Sequence, residues 1–267
     1  MNCLYLLFIS IFTLVIIKPV LSHETWIEVE NYSGGSGLPI IADFMIGENF
    51  KGDTLAHIPS KVVFSGLIDK YGNRELQGYA GDYPAISKTS RVGGLHILYY
   101  QTKPEVMLYK EFNKFKKFAY DYDLDWAIEV HRKRGLQLTN FTEAYSRCAK
   151  ALLWRDMPNG EDMPVGMPLE LVLLKNPYEN KIKSFPKFIM VRLLWNGEPL
   201  ANRQIKVFRK DIGQSLVSVK TNFEGIARVS MEKSGVVMLN AVHIVPIEKT
   251  KKEVWHSFWA SLTFEIR

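Results

Sequence analysis

Trp259-Ala260-Ser261-Leu262-Thr263-Phe264-Glu265-Ile266 alternates without a break. Ala260, Leu262, Phe264 and Ile266 fall on one side, and Trp259, Ser261, Thr263 and Glu265 on the other. A period of two is that of a strand with one face on a core. Reading backward, Leu239-Asn240-Ala241-Val242-His243-Ile244-Val245 repeats it, with Leu239, Ala241 and His243 sharing a face. Further strands are predicted at Ile226–Ser230, Leu216–Lys220, Gln204–Phe208 and Phe188–Trp195. Asn196-Gly197 is a turn signal, but Glu198-Pro199-Leu200-Ala201 is read as lengthening the connection beyond a two-residue hairpin. About seven strands in roughly 95 residues is the size of an immunoglobulin-like sandwich, placed at 187–267.

Outward from that unit, short strands recur near the start of the chain. They are predicted at His23–Val29, Pro39–Ile46, Val62–Asp69, Arg74–Tyr79 and Leu95–Tyr100, separated by Gly- and Asn-rich turns. Gly47-Glu48-Asn49-Phe50-Lys51-Gly52-Asp53 reads as a loop. A second antiparallel sandwich is therefore expected over 23–104. After Pro104 the period changes. Leu108, Phe112, Phe115, Phe118, Ala119 and Tyr122 fall near helical spacing from Val106 onward, and a second helix runs from Leu124 to Lys133 with Gly135 as its stop. Thr142–Tyr145 opens a further helical or extended stretch. The expected fold class is mainly β: two antiparallel immunoglobulin-like β-sandwich units, with a helical insertion at 105–150 and a linker and strand at 151–186 between them.

Residues 1–22 read as a signal peptide. The apolar run Leu4–Ile17 is too short to span a bilayer, which needs ~20 residues, and Lys18-Pro19 closes it. Val20 and Ser22 suit the −3 and −1 positions of a cleavage site, so the mature chain is expected to begin at His23 in the periplasm or outside the cell. Cys3 leaves with the leader. Cys148 then stands alone, which forbids an internal disulfide and fits a small buried residue better than a nucleophile. With 47% apolar and 12% aromatic residues the chain can rely on a core instead. A net charge of +6 is spread over short basic clusters, which excludes nucleic acid as a partner.

There is no His-Glu-x-x-His pair, no Gly-x-Ser-x-Gly elbow and no phosphate loop. The expectation is therefore a protein that is not an enzyme. The chemistry that remains sits in the histidines. Cleavage before His23 gives that residue a free α-amine beside its ring Nδ1, a chelate suited to Cu²⁺ or Ni²⁺. His243, on an apolar strand, is read either as a core histidine or as a second imidazole that would complete a three-nitrogen site. His131 is followed by Arg132-Lys133-Arg134, where a surface histidine is the ordinary reading and a third ligand the sharper one.

Several blocks also resemble a family. They are His23-Glu24-Thr25-Trp26-Ile27-Glu28, Gly47 through Asp53, Tyr145-Ser146-Arg147-Cys148-Ala149-Lys150-Ala151-Leu152, Pro168-Leu169-Glu170-Leu171-Val172, and Asn196-Gly197-Glu198-Pro199-Leu200. Ala241-Val242-His243, Trp255 and Ser257 through Glu265 complete the set. Together they resemble a domain-of-unknown-function family of exported bacterial proteins grouped with NikM, the substrate-specific component of nickel uptake systems. The resemblance implies a periplasmic β-sandwich protein with a role in metal uptake or handling, and a membrane metal transporter as its partner. Unlike NikM itself, this sequence carries no membrane-spanning segment beyond the leader.

Two other functions compete. One is a non-metal β-sandwich module that recognises protein or glycan; Trp195, Trp255 and Trp259 are read either as an aromatic face for a sugar or, the more ordinary reading, as core residues. The other is a copper enzyme for oxidative polysaccharide cleavage, which also uses an N-terminal histidine.

Overall fold

In the computed structural model, the residues described are 23–178, 186–213, 215–248 and 251–267. The expected leader and its cleavage after Ser22 lie outside them. The alternation at the C-terminus belongs to a long strand, Glu253–Ile266, paired antiparallel with Gly235–Pro246. Its other edge runs parallel to Phe141–Arg155, with Thr142 opposite Glu253 and Ala151 opposite Thr263. From that parallel seam one ten-stranded sheet extends both ways. Gly94–Thr102, Val62–Asp69 and Gly72–Glu75 continue it on one side, and Gln204–Arg209 and Ser215–Lys220 beyond Gly235–Pro246 on the other.

A smaller sheet of Leu169–Leu173, Phe188–Trp195, Glu198–Pro199 and Ile226–Ser230 covers one face. Leu152, Trp154, Ile205, Leu239, Ala241, Leu262, Phe264 and Ile266 meet Leu171, Val191, Leu193 and Val229 there. The opposite face carries a four-stranded sheet of Glu24–Val29, Pro39–Glu48, Lys51–Leu55 and Ile86–Thr89. Ile27, Ala42 and Phe44 pack there on Leu98, Tyr100, Ala149 and Leu153. Two helices, α1 (Phe112–Asp121) and α2 (Trp126–Lys133), cover the rest of that face through Phe115, Phe118, Ala127 and Ile128 against Val242, Ile244, Trp255 and Trp259. The chain is thus mainly β, built of largely antiparallel sheets packed face to face, with two short helices between strands. A central strand has a core on both faces, which is why Phe141–Arg155 is buried almost throughout although it includes Glu143, Arg147, Lys150 and Arg155.

Several elements differ from their sequence reading. Helix α1 begins at Phe112 rather than Val106, because Glu105–Tyr109 pairs with Phe141–Tyr145 as a strand. The stretch from Thr142 is part of a 15-residue strand. Arg74–Tyr79 is replaced by a shorter strand, Gly72–Glu75. Gly47–Asp53 is no loop: Pro39–Glu48 and Lys51–Leu55 form a hairpin that turns on Asn49 and Phe50, at φ of 57° and 61°. Two consecutive left-handed residues are what a tight hairpin needs, and they are unusual for a bulky residue. Phe50 is held in that conformation by burial, its ring meeting Trp26 edge-on at 5.3 Å. Asn196-Gly197 likewise closes a two-residue hairpin, with Trp195 opposite Glu198, so the strand resumes sooner than expected.

Gly66 lies opposite Tyr99, and a side chain there would run into that ring. Tyr99 is buried and its hydroxyl donates to Asn73 Oδ1 at 2.8 Å, so the ring has little room to yield. Gly66→Ala is expected to cost about 1–3 kcal/mol through overpacking. An unchanged urea midpoint for that variant would show that the ring swings aside freely.

Candidate functional site

The first strand begins in a polar cleft where the four-stranded sheet, helix α1 and the large sheet meet. The cleft, about 270 Å³, is lined by Glu24, Glu48 and Asn49 from the small sheet, Lys117, Asp121 and Tyr122 from α1 and its end, and Lys206 from the large sheet. Alternation explains Lys206: Ile205 and Val207 turn into the opposite core, so the residue between them points here. The tight turn at Asn49 aims a main-chain N–H at Glu24 Oε2, 3.1 Å away. The Tyr122 hydroxyl donates to Glu24 Oε1 at 2.8 Å. Burial raises the Glu24 carboxyl above its usual range, against the lowering effect of Tyr122, Lys206 and the Asn49 N–H. Burial also lowers the Lys206 ammonium, which lies 3.8 Å from the centre of the Tyr122 ring. Lys117 pairs with Asp121 at 2.7 Å on the rim.

His23 stands beside this cleft. Its Nε2 is 3.3 Å from Glu48 Oε1, and its side chain is about 29% exposed. A carboxylate on Nε2 favours a proton on that nitrogen and leaves the Nδ1 lone pair free, which is the ring atom that closes a chelate with the α-amine of the same residue.

The other two sequence candidates are elsewhere. His243 does not approach His23. Its ring meets Trp195 edge-on at 4.7 Å, under the sheet that covers the far face, whereas His23 contacts the small sheet on the near face. Burial, with Arg203 adding to it, pushes the His243 imidazole down to about 4, so it stays neutral near pH 7. His131 is not a surface histidine. Spaced three and four residues after Ile128 and Ala127, it turns inward with them while Arg132 and Lys133 face out. Its Nε2 donates to the Gln137 carbonyl at 2.8 Å and its Nδ1 accepts the Trp255 indole N–H at 3.0 Å. Both nitrogens are engaged, which removes His131 as a ligand. Among the described residues no group of three or more His, Cys, Asp or Glu side chains is placed to hold a metal ion.

The aromatic face proposed for a glycan does not form either. Trp255 and Trp259 are core residues beneath the helices. Cys148 is buried, and burial pushes its thiol up to about 12, as befits an inert packing residue.

The sequence alone does not single out Glu24, Glu48, Tyr122 or Lys206 as site residues. The available signal was Glu48-Asn49 in a block already marked by the resemblance, directly before a turn.

What this defines is a layered β-sandwich protein with a polar cleft at its first strand. The model of a domain of unknown function, DUF4198, matches residues 20–245, and the chain belongs to that family. No curated protein matches the chain. Among solved structures it is similar to the D0-D1 domain of intimin at 10% identity, over 89% of this chain and 96% of that one, with a TM-score of 0.19.

Proposed function

We propose that the mature protein, exported and cleaved before His23, is a metal-binding accessory protein for transition-metal uptake or handling that takes Cu²⁺ or Ni²⁺ at its N-terminus. The contact between His23 Nε2 and Glu48 Oε1 carries this reading. It supplies the outer carboxylate that metal-binding imidazoles ordinarily have, and it leaves Nδ1 and the amine to the ion. The donor set is nitrogen-rich, and intrinsic preference at such a site favours Cu²⁺ over Ni²⁺, with supply deciding which is carried. The role is binding rather than catalysis. The resemblance to proteins grouped with NikM supports delivery to a membrane metal transporter.

The test is calorimetric titration of Cu²⁺ and Ni²⁺ into four proteins that begin at His23 or one residue before it. Adding a single alanine ahead of His23 moves the α-amine away and should abolish the high-affinity site. Glu48→Ala should weaken it about 10–100-fold, the usual effect of losing an outer-shell partner. His243→Ala should bind like the unaltered protein, because that ring lies across the sheet. Affinity should fall in acid, where protons compete for both nitrogens. Equal affinity with and without the added alanine would remove the metal reading.

A further inference from the structure

Away from the cleft, on the other face of the large sheet, three ionisable side chains are enclosed together. Lys150 Nζ lies 2.9 Å from Asp162 Oδ1 and 3.2 Å from Glu170 Oε1, and the three side chains are 1%, 0% and 1% exposed. Lys150 is in the central strand, Asp162 in the loop that leaves it, and Glu170 in Leu169–Leu173, the next strand. Two acids and one base in a dry core make an awkward set of ions, since desolvation offsets much of their attraction.

We propose that this site forms a covalent amide crosslink between Lys150 and Asp162, with Glu170 as the proton carrier. The contact sets the amine nitrogen against a carboxyl oxygen, one bond from the carbon to be attacked, and burial holds it there away from solvent. In the step itself the Nζ lone pair attacks Cγ of the Asp162 carboxylic acid and a C–N bond forms. Glu170 takes a proton from Nζ and passes it to the departing hydroxyl, the C–O bond breaks, and water leaves. Amine plus acid gives amide plus water, and Glu170 ends as it began. No oxidant or further reactant is needed.

The surroundings fit those roles. The Leu173 N–H donates to Asp162 Oδ2 at 2.7 Å, where it can stabilise the oxygen on which charge develops during attack. Met163 N–H donates to Oδ1 at 2.8 Å, and Nζ donates to the Met163 carbonyl at 3.2 Å, which fixes amine and acid to one another. Glu170 is itself held by the N–H groups of Val165, Gly166 and Met167 at 2.8, 3.2 and 3.3 Å. The product replaces an ion pair by a neutral amide and ties the loop after Arg155 to the central strand. A mature chain with Cys148 as its one thiol has no disulfide for that purpose.

Intact mass spectrometry of the purified, unaltered protein tests the idea, independently of any metal. The expected mass is one water below that of the sequence, and proteolysis should release a branched peptide joining Lys150 to Asp162. Lys150→Met and Asp162→Ala should each return to the full sequence mass. Glu170→Gln should also show the full mass, and a crosslink that persists in this variant overturns the role given to Glu170. An unaltered protein at its full sequence mass, or one whose missing water maps elsewhere, overturns the crosslink.

Discussion

Trp255→Ala is expected to lower the stability of the protein by about 3–5 kcal/mol, the range for truncating a large aromatic in a core. Trp255 is wholly buried between the large sheet and the helices. Its ring stacks on Phe115 at 5.9 Å, meets Trp126 edge-on at 6.0 Å, and lies under the Arg134 guanidinium at 5.3 Å. Truncation would empty that space and also leave His131 Nδ1 buried without the indole N–H that now donates to it. Trp255→Phe separates the two effects. It refills most of the volume but restores no donor, so a loss of about 1–3 kcal/mol is expected from the orphaned nitrogen. Urea unfolding of the three proteins measures both numbers. A loss under about 1 kcal/mol for the alanine variant would mean that the helices are not anchored through this residue.

The second large effect depends on pH. Glu143 sits in the central strand on the helix face, accepting hydrogen bonds from the Tyr109 hydroxyl at 3.0 Å and from the Ser257 hydroxyl. Burial pushes its carboxyl from 4.5 to about 7, and the two hydroxyls only partly oppose this. Between those values the folded protein holds a proton that the unfolded chain has released. The resulting stability is fully present below the unfolded value and is lost as pH rises through about 7. The size is on the order of 3 kcal/mol, from roughly 1.4 kcal/mol per pH unit between 4.5 and about 7.

The buried and half-buried histidines work in the opposite sense. His57, His96, His131, His243 and His256 are all lowered by burial, so their contribution grows as pH rises toward the ordinary imidazole value. Glu24 is raised like Glu143 and titrates in the same direction. The informative quantity is therefore the stability of the unaltered protein minus that of Glu143→Gln, in which this site cannot titrate. That difference should be larger at pH 5 than at pH 8. A difference that does not change with pH would show that Glu143 is ionised in the folded state throughout.

The sequence by itself determined the strands and the helices wherever the pattern is local. The alternation of 259–266 and 239–245, and the spacing of Phe112, Phe115, Phe118 and Ala119, follow from where successive side chains point on a strand or a helix. His131 was legible by the same rule, since its spacing to Ala127 and Ile128 places it on the apolar side despite its basic neighbours.

Tertiary structure decided whatever depends on a distant partner. Glu105–Tyr109 is a strand only because Phe141–Tyr145 lies alongside it, and the parallel seam with Glu253–Ile266 is written in neither segment alone. Alternation puts His243 with Leu239 and Ala241 but says nothing of which layer that face will meet, and the layer is what separates it from His23. Glu48 reaches His23 through a turn that reverses the chain, and Lys206 reaches the cleft from the far half of the chain. Lys150, Asp162 and Glu170 would be solvated charges on any isolated segment. Their chemistry exists only because packing on both faces of the central strand shuts water out, and burial of that kind is a property of layers rather than of neighbouring residues.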